Sequence, residues 1–315
     1  MMPVYEDWEA AIALCRSIDH VVHAELPCCV NVLLVDDGST NVTSPKELPF
    51  CPQALAQVSV LVLNRNVGHQ RAIAVGLTHL QQQRKADILV VMDGDGEDRP
   101  EDIPRLIGAM QASPHPIAVF AQRGKRLEVP TFRIFYNCYR MLHRILTGRD
   151  MRFGNFSALP WPFLDTLVVF PELWNHYAAT IVKSRLPYSR IRADRGARLK
   201  GHSRMNFISL VVHGMSALFA NQELVGTRML LTMLAAVATL FVLTLVVVAV
   251  KLLTTLAIPG WATMTMGLLL ILITQMFVAA FMLVFSIMMN RSQLSFLPIR
   301  DYSYFVRCED VLNPR

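Results

Sequence analysis

Charge is scarce in this chain. Asp, Glu, Lys and Arg make up 17% of its 315 residues, against 53% hydrophobic residues. Disordered chains need the opposite balance, so intrinsic disorder is excluded. Cysteine is also sparse. Cys15, Cys28, Cys29, Cys51, Cys138 and Cys308 include no CxxC pair. A small disulfide scaffold is excluded, a zinc site is not expected, and free thiols are the expectation. His69, His176, His202 and His213 match no HExxH or other close metal spacing and read as ordinary histidines. Mean hydropathy is +0.37, high for an ordinary soluble enzyme.

Two stretches have no charge at all. Residues 229–250 run MLLTMLAAVATLFVLTLVVVAV, and residues 262–290 follow with Gln275 as their most polar interior position. About 20 apolar residues cross a bilayer, so two spans are expected. The linker holds Pro259-Gly260, which suits a hairpin, and its only basic residue is Lys251. Arg198, Lys200, Arg204 and Arg228 precede the spans, and Arg291, Arg300 and Arg307 follow. The positive-inside rule then puts both ends in the cytoplasm. No secretory leader is read at the N-terminus.

Residues 7–22 read as an amphipathic helix. Val30–Val35 is a short apolar strand running into Asp36-Asp37-Gly38-Ser39-Thr40. Further strands are expected at 58–63, 88–92 and 117–121, with a helix over 68–80. The alternation predicts a mostly parallel α/β sheet. Ligands bind such sheets at the carboxyl ends of strands, and those ends carry Asp36, Asp37, Asp93 and Asp95. Before the first helix only Met1–Val4 is available for a strand, so the first strand is either a stub or truncated.

Asp93-Gly94-Asp95-Gly96-Glu97-Asp98 sets three carboxylates at alternate positions after a strand. Gathering them in one small volume is costly without a cation. Hard oxygen ligands of this kind suit Mg²⁺ or Mn²⁺ with substrate phosphates.

Taken together, the motifs resemble family 2 glycosyltransferases of the GT-A fold, and more narrowly the polyprenyl-phosphate glycosyltransferases. The matching pieces are Pro3–Asp7, Asp36–Thr40, Arg65–Gly68, Asp93–Asp98 with Pro100-Glu101, and Arg198–Arg204. The resemblance implies that Pro3, Tyr5, Asp7, Val35, Asp36 and Asp37 line the nucleotide. It places Asp93 and Gly94 by nucleotide and sugar, Asp95 and Glu97 on the metal, and Arg123 on the donor. Arg198 and Arg204 would grip phosphate, with Ser203 beside them, and the catalytic set would be Asp93, Asp95, Arg198 and Arg204. Two positions depart from the pattern. Arg204 stands where Lys is frequent, and Asn155 stands where an Asp often follows Gly. Asn cannot act as a general base. A hydroxyl acceptor needs one, whereas a lipid phosphate is already anionic. Asn155 and Ser157 are the acceptor-side candidates, and Trp174–Tyr177 is a second, weaker acceptor region.

Residues 131–146 and 205–220 have the two-faced pattern of helices lying in a lipid interface. Seven basic residues from Arg185 to Arg204 precede the second. With two spans adjacent, lipid headgroups rather than nucleic acid are the expected partner. The expected layout is a GT-A domain over 1–200, an interfacial segment over 201–228, two spans over 229–290 and a cytosolic tail over 291–315. The expected reaction is inverting, metal-dependent transfer from a nucleotide sugar to a polyprenyl phosphate, with homo-oligomerisation left open. One rival is transfer to a lipid-linked or polysaccharide hydroxyl. None of Trp8, Trp161, Trp174 and Trp261 ends the QxxRW motif of processive synthases. The other rival is a non-catalytic membrane partner with a relict donor site.

Overall fold

The computed structural model describes residues 1–40, 45–83, 86–123, 141, 145, 154–194, 196, 222–254, 260–292 and 296–313. These fall into two compact units. One contains the sheet and takes in residues 296–313; the other contains the two apolar helices.

The sheet unit starts from parallel strands. β1 (Met2–Val4), β2 (Val30–Asp36) and β3 (Leu55–Leu63) are in parallel register, Pro3 opposite Val35 and Val35 opposite Leu61. Leu33, Leu34 and Val35 are all buried, because helices cover both faces. On one face lies α1 (Trp8–Glu25), through Trp8, Leu14 and Ile18. On the other lies α2 (His69–Gln83), through Ile73 and Leu77. Gly76 permits the close approach of α2, since a Cβ there would lie 2.7 Å from Val35 Cγ2.

The second set of strands is β4 (Ile88–Val91), β5 (Ala118–Arg123), β6 (Ser157–Pro160) and β7 (Tyr188–Ala193), in the order β4-β6-β5-β7. Met1 joins the two sets. Its amine donates to Val90 O at 2.8 Å, and its carbonyl accepts from Met92 N at 3.2 Å. The short first strand is therefore hydrogen-bonded on both sides.

Two expectations need correction. The sheet is mixed rather than mostly parallel, because β3 pairs antiparallel with β8 (Val306–Val311), as do β4 and β5 with β6. Of the stretch read as a tail over 291–315, residues 296–313 belong to the sheet unit. Val306–Val311 forms β8 on the outer edge of β3, with Leu61 opposite Glu309. Phe296 and Phe305 pack on Trp174, with ring centroids 3.8 and 4.9 Å away. Trp174 is thus occupied in holding the returning chain.

The helices Gln222–Leu253 and Trp261–Ser292 are apolar all round. Their most apolar windows are 6% and 0% buried, unlike a soluble core helix. At 32 residues each, they span about 48 Å, enough to cross a bilayer with tilt. Residues 131–146 and 205–220, read as interfacial helices, lie outside the described residues except for Met141 and Ile145.

Candidate active site

The parallel register brings the ends of β1, β2 and β3 to one edge of the sheet. The loops after β1 and β2 are tied together there. Glu6 N donates to Ser39 Oγ at 2.9 Å, and Thr40 N donates to Glu6 Oε1 at 2.7 Å. Asp36 Oδ1 accepts from Ser39 N at 3.0 Å, closing the turn. Gly38 has φ +70, and a Cβ there would strike the backbone of Arg65 and Asn66. Only glycine lets these loops meet.

Asp37 fixes the third loop. Its carboxylate accepts from Val67 N at 2.7 Å and Gly68 N at 2.9 Å. It is buried, and burial pushes its pKa up to about 6 against the pull of those two amides. Tyr5 is 41% exposed at the same edge, and Asp7 stands at the N-cap position of α1 without a side-chain capping bond. The Val35 side chain points into the core, so at this edge it offers only backbone.

The loop after β4 carries the acidic run. Gly94 lies against β1, where a Cβ would stand 2.6 Å from Pro3 O. The expected gathering of three carboxylates is not what forms. Asp95 Oδ1 accepts from Glu97 N at 3.0 Å, and Asp98 Oδ2 accepts from Asp93 N at 2.9 Å. The chain's own amides thus hold the turn. Among the described residues no three His, Cys, Asp or Glu side chains form a metal cage.

Asp93 turns toward another group. Its Oδ1 lies 3.1 Å from His69 Nε2 and accepts from Asn155 Nδ2 at 3.2 Å. Asn155 Nδ2 is also 2.8 Å from His69 Nε2, and Asn155 Oδ1 accepts from Gln70 Nε2 at 3.0 Å. Burial pulls the His69 pKa down, but Asp93, with Asp95 and Asp37 behind it, carries it above the ordinary value.

Reading from sequence treats His69 as ordinary and misses Gln70. The available signal was position: both follow Gly68, at the edge already marked by Asp36 and Asp37. His176 caps a short helix, its Nδ1 accepting from Ala179 N at 3.3 Å. Ser157, an acceptor-side candidate, is instead a core residue, fully buried with its Oγ 2.8 Å from Tyr177 Oη. Asn155 does stand at the site, bound to Asp93. Arg198, Ser203, Arg204 and the Arg123 side chain lie outside the described residues.

Residues 1–159 match the family model of glycosyl transferase family 2. The chain is 30% identical over 107 residues to an undecaprenyl-phosphate 4-deoxy-4-formamido-L-arabinose transferase of Salmonella choleraesuis, covering 34% of this chain and 31% of that protein. The enzyme of the same name from Erwinia tasmaniensis is 31% identical over 111 residues, covering 35% and 33%. These matches span about a third of the relatives' length. Among solved structures, glucosyl-3-phosphoglycerate synthase from Mycobacterium tuberculosis aligns with a TM-score of 0.48 and 16% identity, over 71% of this chain and 78% of that one. With half its length matched, and with Asp36, Asp37, Asp93 and Asp95 in the matched part, the chain belongs to glycosyl transferase family 2.

Proposed function

We propose that this protein is a membrane-bound inverting glycosyltransferase that moves a sugar from a nucleotide sugar to a polyprenyl phosphate. The carrying observation is the carboxylate edge at the ends of β1, β2 and β4, in a chain that also has two unburied apolar helices. The curated relatives, whose names state undecaprenyl-phosphate sugar transfer, support the acceptor class.

The donor nucleotide would lie against the loops after β1 and β2, with Pro3, Tyr5, Asp7, Asp36 and Asp37 around it. Asp37 keeps these loops in register through Val67 and Gly68. Asp93 and the Gly94 backbone would sit by the nucleotide and sugar, Arg123 would contact the donor, and Arg198 and Arg204 would grip its phosphates, with Ser203 beside them. A divalent ion of this class needs only one or two carboxylates when phosphates complete its shell. Asp95 and Glu97, in a turn braced by its own amides, fit that need without a protein-only cage. Mg²⁺ or Mn²⁺ held there supplies positive charge against the leaving diphosphate.

Asn155 supports a phosphate acceptor. It cannot remove a proton, and a phosphate monoester is largely ionised near neutral pH. In-line attack then depends on positioning, which a rigid strand-end site supplies. The charge bias around the hairpin supports cytoplasmic ends and a cytoplasmic catalytic domain.

The test is product analysis. The detergent-purified chain is incubated with a panel of nucleotide sugars, undecaprenyl phosphate and Mn²⁺ or Mg²⁺, and the lipid fraction is read by mass spectrometry. A metal-dependent lipid-phosphate sugar is the expected product. Nucleotide release without a lipid product would replace the acceptor with a hydroxyl. Absence of both turnover and nucleoside diphosphate binding would leave a relict donor site.

A further inference from the structure

The hydrogen bonds behind Asp93 have a fixed direction. They start at a backbone amide, whose polarity is known. Tyr177 N donates to Gln70 Oε1 at 2.9 Å. Gln70 therefore presents its Nε2, a pure donor, to Asn155 at 3.0 Å. Asn155 must accept through Oδ1, which turns its Nδ2 toward Asp93 Oδ1 at 3.2 Å. One peptide N–H thus sets the orientation of two side-chain amides and points a donor at the carboxylate. Each link comes from a different element: the start of a short helix, the first turn of α2, the lead into β6 and the end of β4. Asn155 is only 6% exposed, so water competes poorly for its amide.

We infer that Gln70 and Asn155 are positioning residues that hold the Asp93 carboxylate in one rotamer at the donor site. The same Asn155 Nδ2 also lies 2.8 Å from His69 Nε2, which accepts its second hydrogen when that ring nitrogen is unprotonated. The inference rests on the proposed transferase reading for its effect on turnover, though not for the relay itself. It also accounts for the amide at position 155. An Asp there could still accept from Gln70, but its other oxygen would face Asp93 at close range as a like charge.

Two nearly isosteric variants test this. Gln70→Glu keeps the acceptor for Tyr177 N and deletes the donor to Asn155. The Asn155 amide must then turn over and set its oxygen against Asp93. Asn155→Asp removes the final donor directly. In both, kcat is expected to fall about 10–100-fold, while KM for the nucleotide sugar changes less than about threefold and the thermal midpoint stays near that of the parent. Wild-type kcat in either variant would overturn the inference. So would loss of kcat that merely tracks loss of folded protein. A second readout needs no turnover. In selectively ¹⁵N-asparagine-labelled full-length protein, the Asn155 side-chain amide resonance, assigned by its absence from Asn155→Asp, should move in Gln70→Glu. An unmoved resonance would overturn the relay even if no donor in the panel were a substrate. Silence of the parent enzyme with a moved resonance would count against the transferase reading alone.

Discussion

At the end of β2, the Asp37 carboxylate is buried yet bound to two backbone amides. Burial wins, and its pKa rises from 3.8 to about 6. A carboxyl raised in this way favours the folded state in its protonated form. Its contribution is therefore complete below about pH 4 and is lost as pH rises through about 6, a difference of about 3 kcal/mol. Thermal midpoints across this window should show it: the advantage of the parent over Asp37→Asn should shrink between pH 4 and pH 7. In the acidic turn, Asp95→Ala is expected to cut turnover about 100-fold or more while moving the midpoint by less than about 2 °C. A fully active Asp95→Ala protein would sink the metal assignment. Gly94→Ala should do the reverse of a clean site lesion. Its new methyl group meets Pro3 O, so stability should drop by about 1–3 kcal/mol along with activity. The carboxylates are legible from sequence because their types and spacing carry the chemistry. His69 and Gln70 are not, since their roles depend on where β6 and the Tyr177 helix arrive.

Among the elements, β2, β3 and β4 are legible because each carries a run made mostly of apolar residues. β7 and β8 carry no such run. Tyr188–Ala193 alternates with arginines, and Val306–Val311 contains Arg307, Glu309 and Asp310. β8 is exposed along most of its length and caps β3 with charge, a composition that discourages further strand addition. In the helical hairpin, Gly226 faces Ile287, and a Cβ at Gly226 would overlap that side chain. Small residues of this kind set how closely membrane helices approach. Gly226→Leu should separate the helices at that level, read as a lower thermal midpoint in detergent.

For the molecule as a whole, the decisive fact is that the chain returns. The residues before and after the two apolar helices belong to one sheet unit. If both helices cross the bilayer, the chain re-emerges on the side it left, which agrees with the basic residues at both flanks. Cys28, Cys29 and Cys51 are exposed on the sheet unit. In intact cells these thiols should resist a membrane-impermeant maleimide, whereas Thr254→Cys, at the far end of the first apolar helix, should react. The reverse labelling pattern would invert the topology.

The pairing of β3 with β8 also sets a schedule. Asn64 and its partner Tyr304 stand 240 positions apart. A ribosome needs roughly 10–50 s to cover that distance. Both apolar helices are made in the last third of that interval, and until it ends the outer edge of β3 lacks β8. The sheet unit can therefore be completed only after the two apolar helices have been synthesised. Until residues 306–311 are made, the chain carries an open sheet edge, the kind of surface that pairs with other strands.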